Sequence, residues 1–216
     1  MRNSSKQWQI APILTPEAEE SLKDFPQPLR QILFNRGYAD QTDALSFLSA
    51  SPPSNSVPEI MLGMEAAVSR LVSAISGGEL IAIYGDYDAD GVTATALLVQ
   101  LLSALEAQVE GYIPNRFDEG YGLNNEALDT LREKGVKLVV TVDCGVRSIE
   151  EALHARDLGL DLIITDHHHP GEQLPPALAV INPKQEGDPY PEKNLAGVGI
   201  AYKLGLALLN ELRRTG

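Results

Sequence analysis

The sequence predicts an α/β fold, a mostly parallel sheet flanked by helices, with a short helical segment at the N-terminus. Three observations carry this. Apolar runs at Leu80–Tyr84, Leu138–Val142 and Leu162–Thr165 have the length and continuity of strands buried on both faces. Between and after them lie stretches with helical spacing, so strand and helix alternate. At 216 residues, 44% hydrophobic and 22% charged, the chain has an ordinary globular balance and room for one sizeable domain with an appendage.

From Thr15 to Ala50 the chain reads as short helices. Leu29, Ile32 and Leu33 fall at helical spacing, Gly37 can stop that helix, and Ala44 to Leu48 make a second apolar face. The breaker-rich SPPSNSVP at 51–58 is a linker, so the expected division is a helical segment with linker over 1–57 and the main domain over 58–216. A longer helix follows, with Ile60, Met64, Ala67, Val68, Leu71, Val72 and Ile75 on one face and Gly77-Gly78 at its end. After the Leu80–Tyr84 strand come a helix at Val92–Leu105, a strand at Val109–Ile113 and the loop PNRFDEGYG at 114–122. The remainder reads as helix from about Asn125 to Lys134, strand Leu138–Val142, helix Ile149–Leu158, strands Leu162–Thr165 and Leu178–Ile181, and a closing helix Val198–Arg214.

The polar residues gather after the strands. YGDYDADGVTAT at 84–95 sets Asp86, Asp88 and Asp90 at alternate positions after the first strand; Asp143 follows the third and Asp166-His167-His168 the fourth. In an open parallel sheet these strand ends share one edge, where such folds bind ligands. Carboxylates this close repel one another unless a cation joins them, and hard oxygen donors suit Mg²⁺, Mn²⁺ or Ca²⁺. Three aspartates and a histidine make a sensible set for two divalent ions.

Each element has a plainer reading. Asp-x-Asp-x-Asp-Gly matches the first half of an EF-hand loop, but that loop needs a preceding helix and a Glu at its twelfth position; here a strand precedes and the position holds Leu97. Asp143 taken alone is equally a helix cap. His167–His169 can be a solvated turn before Pro170, although three of the four histidines fall there. Cys144 reads as a small buried packing residue and His154 as a surface residue. No Rossmann fingerprint or Walker loop occurs.

The net charge is −13, which gives no general attraction to nucleic acid. Any such substrate would rely on local basic surface or on bound metal. The single cysteine excludes an internal disulfide and suits a reducing cytoplasm. No apolar run approaches the ~20 residues that span a bilayer, so a soluble cytoplasmic protein without membrane association is expected.

Six motifs in order, YGDYDADGVTATALL, IPNRFDEGYGL, VTVDCG, TDHHHP, INPK and LAGVGIAYKL, resemble the RecJ-type exonucleases of the DHH phosphoesterase superfamily, whose name matches Asp166-His167-His168. The resemblance runs from about residue 29 onward. It implies a Mn²⁺- or Mg²⁺-dependent hydrolase that degrades single-stranded DNA from the 5′ end to mononucleotides in recombination and repair, with single-strand-binding protein and a helicase as partners. Carried over by position, it makes Asp88, Asp90, Asp143 and His167 metal ligands, with Asp86 a further ligand or a neighbour of one. His168 would orient the scissile phosphate, and Asn115 and Arg116 would border the site, Arg116 contacting phosphate. Tyr84 stands where many DHH phosphoesterases carry a metal-binding histidine. The superfamily's later metal-binding aspartate and second core domain do not appear by Gly216, so a fragment of a longer protein, inactive by itself, is expected. Two other readings remain: a DHH phosphodiesterase for oligonucleotides or cyclic dinucleotides, and a non-catalytic DHH scaffold.

Overall fold

The computed structural model describes residues 9–50, 52, 55–115 and 122–215. The chain divides into two compact units, Met1–Ser54 and Asn55–Gly216.

The first unit holds α1 (Pro16–Ser21), α2 (Gln27–Asn35) and α3 (Gln41–Leu48). Local chemistry sets their starts. Thr15 Oγ1 accepts the Ala18 N–H, and Asp40 accepts from Thr42 and Asp43, satisfying amides that have no intrahelical partner. Leu22, Leu33 and Ala44 form a small core.

The second unit is a three-layer α/β/α domain. Its elements are a 3₁₀ turn at Pro58–Ile60, α4 (Met64–Ser76), β1 (Ile81–Tyr84), α5 (Ala89–Ala104), β2 (Val109–Tyr112), α6 (Asn125–Glu133), β3 (Leu138–Val142), α7 (Ile149–Asp157), β4 (Asp161–Thr165), β5 (Ala179–Ile181) and α8 (Gly197–Thr215). The sheet is parallel throughout, in the order β2-β1-β3-β4-β5. Side chains alternate between its faces. Ile81, Ile83, Val140 and Ile163 pack with α4, α5 and α8; Ala82, Tyr84, Val139, Leu162 and Ile164 pack with α6 and α7. The chain therefore leaves β1 towards one face and β3 towards the other. The strand order reverses between these two neighbours, which opens a crevice at their carboxyl ends.

Two element starts differ from the sequence reading by more than one residue. The helix expected from Ile60 is interrupted: Gly63 takes φ 81°, and α4 starts only at Met64. Asp188 accepts the Leu62 N–H at 2.9 Å, and a Cβ on Gly63 would meet the Val180 carbonyl oxygen at 2.5 Å. Tertiary contacts thus override the helical spacing. The helix expected from Val92 begins earlier, at Ala89, because the Asp88 carboxylate caps the amides of Asp90 and Gly91. His154, read as a surface residue, lies 2.8 Å from Asp129 and ties α7 to α6.

The turn from β1 into α5 is tight. A Cβ on Gly91 would stand 2.5–2.7 Å from the backbone O, N and Cα of Asp86, atoms that cannot swing aside. Gly91→Ala should therefore destabilise the domain by about 3 kcal/mol, the upper end for overpacking, although alanine is the better helix former. Denaturant unfolding checks this, and a neutral or stabilising result would contradict it.

Candidate metal centre

Three segments bring carboxylates and imidazoles to the crevice between β1 and β3. The first runs from β1 into α5. Asp86 is buried and accepts the Tyr87 N–H at 2.8 Å. Asp88 caps α5, its Oδ1 2.8 Å from the Asp90 N and 3.0 Å from the Gly91 N. The Gly91 amide holds Asp88 below the usual carboxylate range; burial opposes it, and the Asp90 amide, a hydrogen bond with Asp143 and the nearby His168 add to it.

The second segment follows β3. Asp143 adopts φ 64°, a left-handed conformation that aspartate tolerates better than most residues. Its N–H donates to Thr165 O at 3.0 Å, continuing the ladder with β4. The side chain is 2% exposed, and its Oδ1 is buried without a hydrogen-bond partner. Burial, then the charges of Asp90 and Asp88, push its carboxyl up to about 7. Cys144 beside it is buried in the α6–α7 core, and burial drives its thiol well up, so it packs as expected.

The third segment follows β4. Asp166 is saturated: Oδ1 accepts the N–H of His167 at 2.7 Å and of His168 at 3.0 Å and lies 2.8 Å from His168 Nδ1, while Oδ2 accepts the Val146 N–H at 2.9 Å. A carboxylate on Nδ1 fixes that nitrogen as the protonated one and leaves Nε2 for a ligand. His167 points Nε2 to within 3.0 Å of Asp143 Oδ1 and 3.7 Å of Asp90 Oδ2. Asn182, at the end of β5, donates to His168 O at 2.9 Å, and Arg147 donates from Nε to His169 O at 2.7 Å. The turn is thereby anchored on both sides.

Two ligand groups result, Asp86–Asp88–Asp143 and Asp143–His167–His168, each with donor atoms within 4.8 Å of one another. Asp143 belongs to both. Asp90 lies outside both groups: its Oδ2 accepts the Gly197 N–H and its Oδ1 the Val198 N–H, each at 2.7 Å, which anchors its carboxylate at the start of α8. Tyr84 stands apart as well. Its hydroxyl donates to Gly122 O at 2.9 Å and accepts from Asn124 at 3.0 Å, securing the far end of the loop after β2. Asn115 is exposed in that loop, and Arg116 lies outside the described residues.

Asp166, Asn182 and Gly197 take parts that the sequence reading did not assign. The first was visible as one letter of a triplet. The other two stood in motifs, INPK and LAGVGIAYKL, whose positions carried no stated role.

The DHH family, N-terminal domain, matches residues 80–214. The single-stranded-DNA-specific exonuclease RecJ of Bacillus subtilis (strain 168) is 50% identical over 181 residues, which are 84% of this chain and 23% of that protein. A crystal structure of exonuclease RecJ bound to manganese is 39% identical with a TM-score of 0.65, covering 70% of this chain and 38% of that one. RecJ from Thermus thermophilus in complex with Mn²⁺ is 33% identical with a TM-score of 0.69, covering 91% of this chain and 27% of that one. The chain thus spans about a quarter of the length of the B. subtilis relative. The matched residues 80–214 take in β1 to β5 and every residue of the two ligand groups, and the chain belongs to the DHH family.

Proposed function

We propose that this chain carries the metal-binding part of a single-stranded-DNA-specific exonuclease that hydrolyses phosphodiesters from the 5′ end and releases mononucleotides. The observation that carries the reading is the pair of ligand groups sharing Asp143, whose buried Oδ1 has no hydrogen-bond partner. The polar group that faces this oxygen is His167 Nε2 at 3.0 Å, itself a metal-donor atom that makes no well-formed hydrogen bond to it. A buried carboxylate oxygen without one is costly, and a divalent cation between such donors is what the set fits. Asp86, Asp88 and Asp143 would hold one ion and Asp143, His167 and His168 the other, Mn²⁺ or Mg²⁺. Two such ions supply charge stabilisation at phosphorus and a water that ionises near neutral pH.

The residues set the stage for that chemistry. Asp166 keeps the His168 proton on Nδ1, so that Nε2 faces the ligand position. Asp90, anchored on α8, stands 3.7 Å from His167 and would be a further ligand from that side. Arg116 is proposed to contact phosphate, with Asn115 beside it. The phosphoesterase domain is placed at 58–216, after the helical segment and linker of 1–57. No described helix is long and apolar enough to cross a membrane; a cytoplasmic site is proposed on the lone unpaired cysteine. Single-strand-binding protein and a helicase are proposed partners on the family resemblance.

In Mn²⁺ the full-length protein that carries this chain should shorten a 5′-phosphorylated single strand progressively and spare the matching duplex. Asp143→Ala should lower that rate at least about 100-fold, the scale on which loss of one electrostatic contact in a site is felt. Unchanged turnover in the variant, or activity confined to dinucleotides, would sink the reading.

Protonation gives a second test. The Asp143 carboxyl rises from 3.8 to about 7 in the fold, so between those values the folded chain binds the extra proton. Stability of the chelated protein must then fall as pH rises through this window, by at most about 1.4 kcal/mol per unit, opposite to an ordinary paired aspartate. Asp143→Asn should flatten the slope, and Mn²⁺ should reverse it. Denaturation curves at pH 5 and pH 8 in chelator decide; a wild-type slope unaffected by the substitution counts against the assignment.

A further inference from the structure

The start of α8 touches the centre twice. Gly197 and Val198 supply the first two amides of the helix, donors with no intrahelical partner, and both go to Asp90. Gly197 also lies against Asp143. A Cβ on Gly197 would come within 2.8 Å of Asp143 Cβ and Oδ1 and 2.9 Å of its Cγ. Those atoms belong to the side chain that both ligand groups share, and Oδ1 is the buried oxygen that accepts no hydrogen bond and faces His167 Nε2. The backbone does not demand glycine here, since Gly197 is not among the residues with positive φ. Alanine would favour the helix. Two residues on, the nearest atoms to a Cβ on Gly199 would be those of Leu195, at 3.4 Å or more. Of the two glycines in this first turn, only Gly197 is tight, and what it meets is a carboxylate.

From this we infer that Gly197 is a positioning residue of the metal centre. Its missing side chain leaves Asp143 Oδ1 where a cation can reach it, while its amide and that of Val198 fix Asp90. The inference rests on the metal-centre reading and adds a wall that no strand end supplies. It also accounts for the LAGVG stretch, because the helix starts with glycine where a carboxylate occupies the place of a side chain.

The test uses wild type, Gly197→Ala, Gly199→Ala, Asp143→Gly and the double variant Gly197→Ala/Asp143→Gly. Each is measured for Mn²⁺ affinity by calorimetry and for melting temperature in chelator. Gly197→Ala should weaken Mn²⁺ binding roughly 10–100-fold, the range for residues that orient ligands, while Gly199→Ala leaves it unchanged. Its melting temperature should fall in the wild-type background and hold or rise in the Asp143→Gly background, where the colliding atoms are gone. If the single variant does not fold and the double variant does, the same contact is identified. Equal losses of melting temperature in both backgrounds, or wild-type Mn²⁺ affinity in Gly197→Ala, overturn the inference. Absence of Mn²⁺ binding in wild type overturns instead the metal-centre reading on which it stands.

Discussion

Five carboxylates, those of Asp86, Asp88, Asp90, Asp143 and Asp166, converge on one crevice of the sheet, and the surrounding structure is arranged to make that tolerable. The means are backbone amides. Asp88 takes the amides that open its own helix, Asp90 those that open α8, and Asp166 the amides of Val146, His167 and His168. Helix N-termini are suited to this, since unpaired N–H groups and the helix dipole both favour negative charge. Asp143 donates its own amide to β4, but its buried Oδ1 accepts no backbone amide and faces only the His167 imidazole, at 3.0 Å. The fold neutralises the outer members of the cluster and leaves the central one for a cation.

This arrangement explains why the helices start where they do. The start of α5 is set by Asp88 as a cap and by the close approach of Gly91 to the Asp86 backbone. The start of α8 is set by a carboxylate from a different helix, 107 positions earlier in the chain. Secondary structure and site are therefore not separable here. The same hydrogen bonds that terminate orphan amides also aim the ligands.

How much of this was legible beforehand follows from which forces are local. The strands were, because continuous apolar runs such as Leu138–Val142 report burial on both faces, and the strand-end placement of Asp86–Asp90, Asp143 and Asp166–His168 followed from parallel topology alone. Ile60 misled, because its spacing fits the α4 face while Gly63, pressed on Val180, breaks the helix through a contact remote in sequence. Alternate spacing makes Asp88 and Asp90 equivalent and shows neither cap nor partner. The amides of α8 that anchor Asp90 come from a contact remote in sequence. Tyr84 was visible as a substitution for histidine, but its hydroxyl's engagement with Gly122 and Asn124 depends on where the loop after β2 returns.

The acidic balance of the chain, −13 overall, fits the same account. A centre that binds two divalent ions through carboxylates must carry negative charge, and a phosphodiester approaching it without metal would be repelled. Metal loading inverts that local field, because a bound cation becomes the largest charge in its site. The raised Asp143 carboxyl belongs to the same logic: without a cation it holds a proton below about pH 7, and that proton must leave before the two ligand groups can share the residue. Metal occupancy and the protonation of one buried aspartate are in this way a single linked equilibrium.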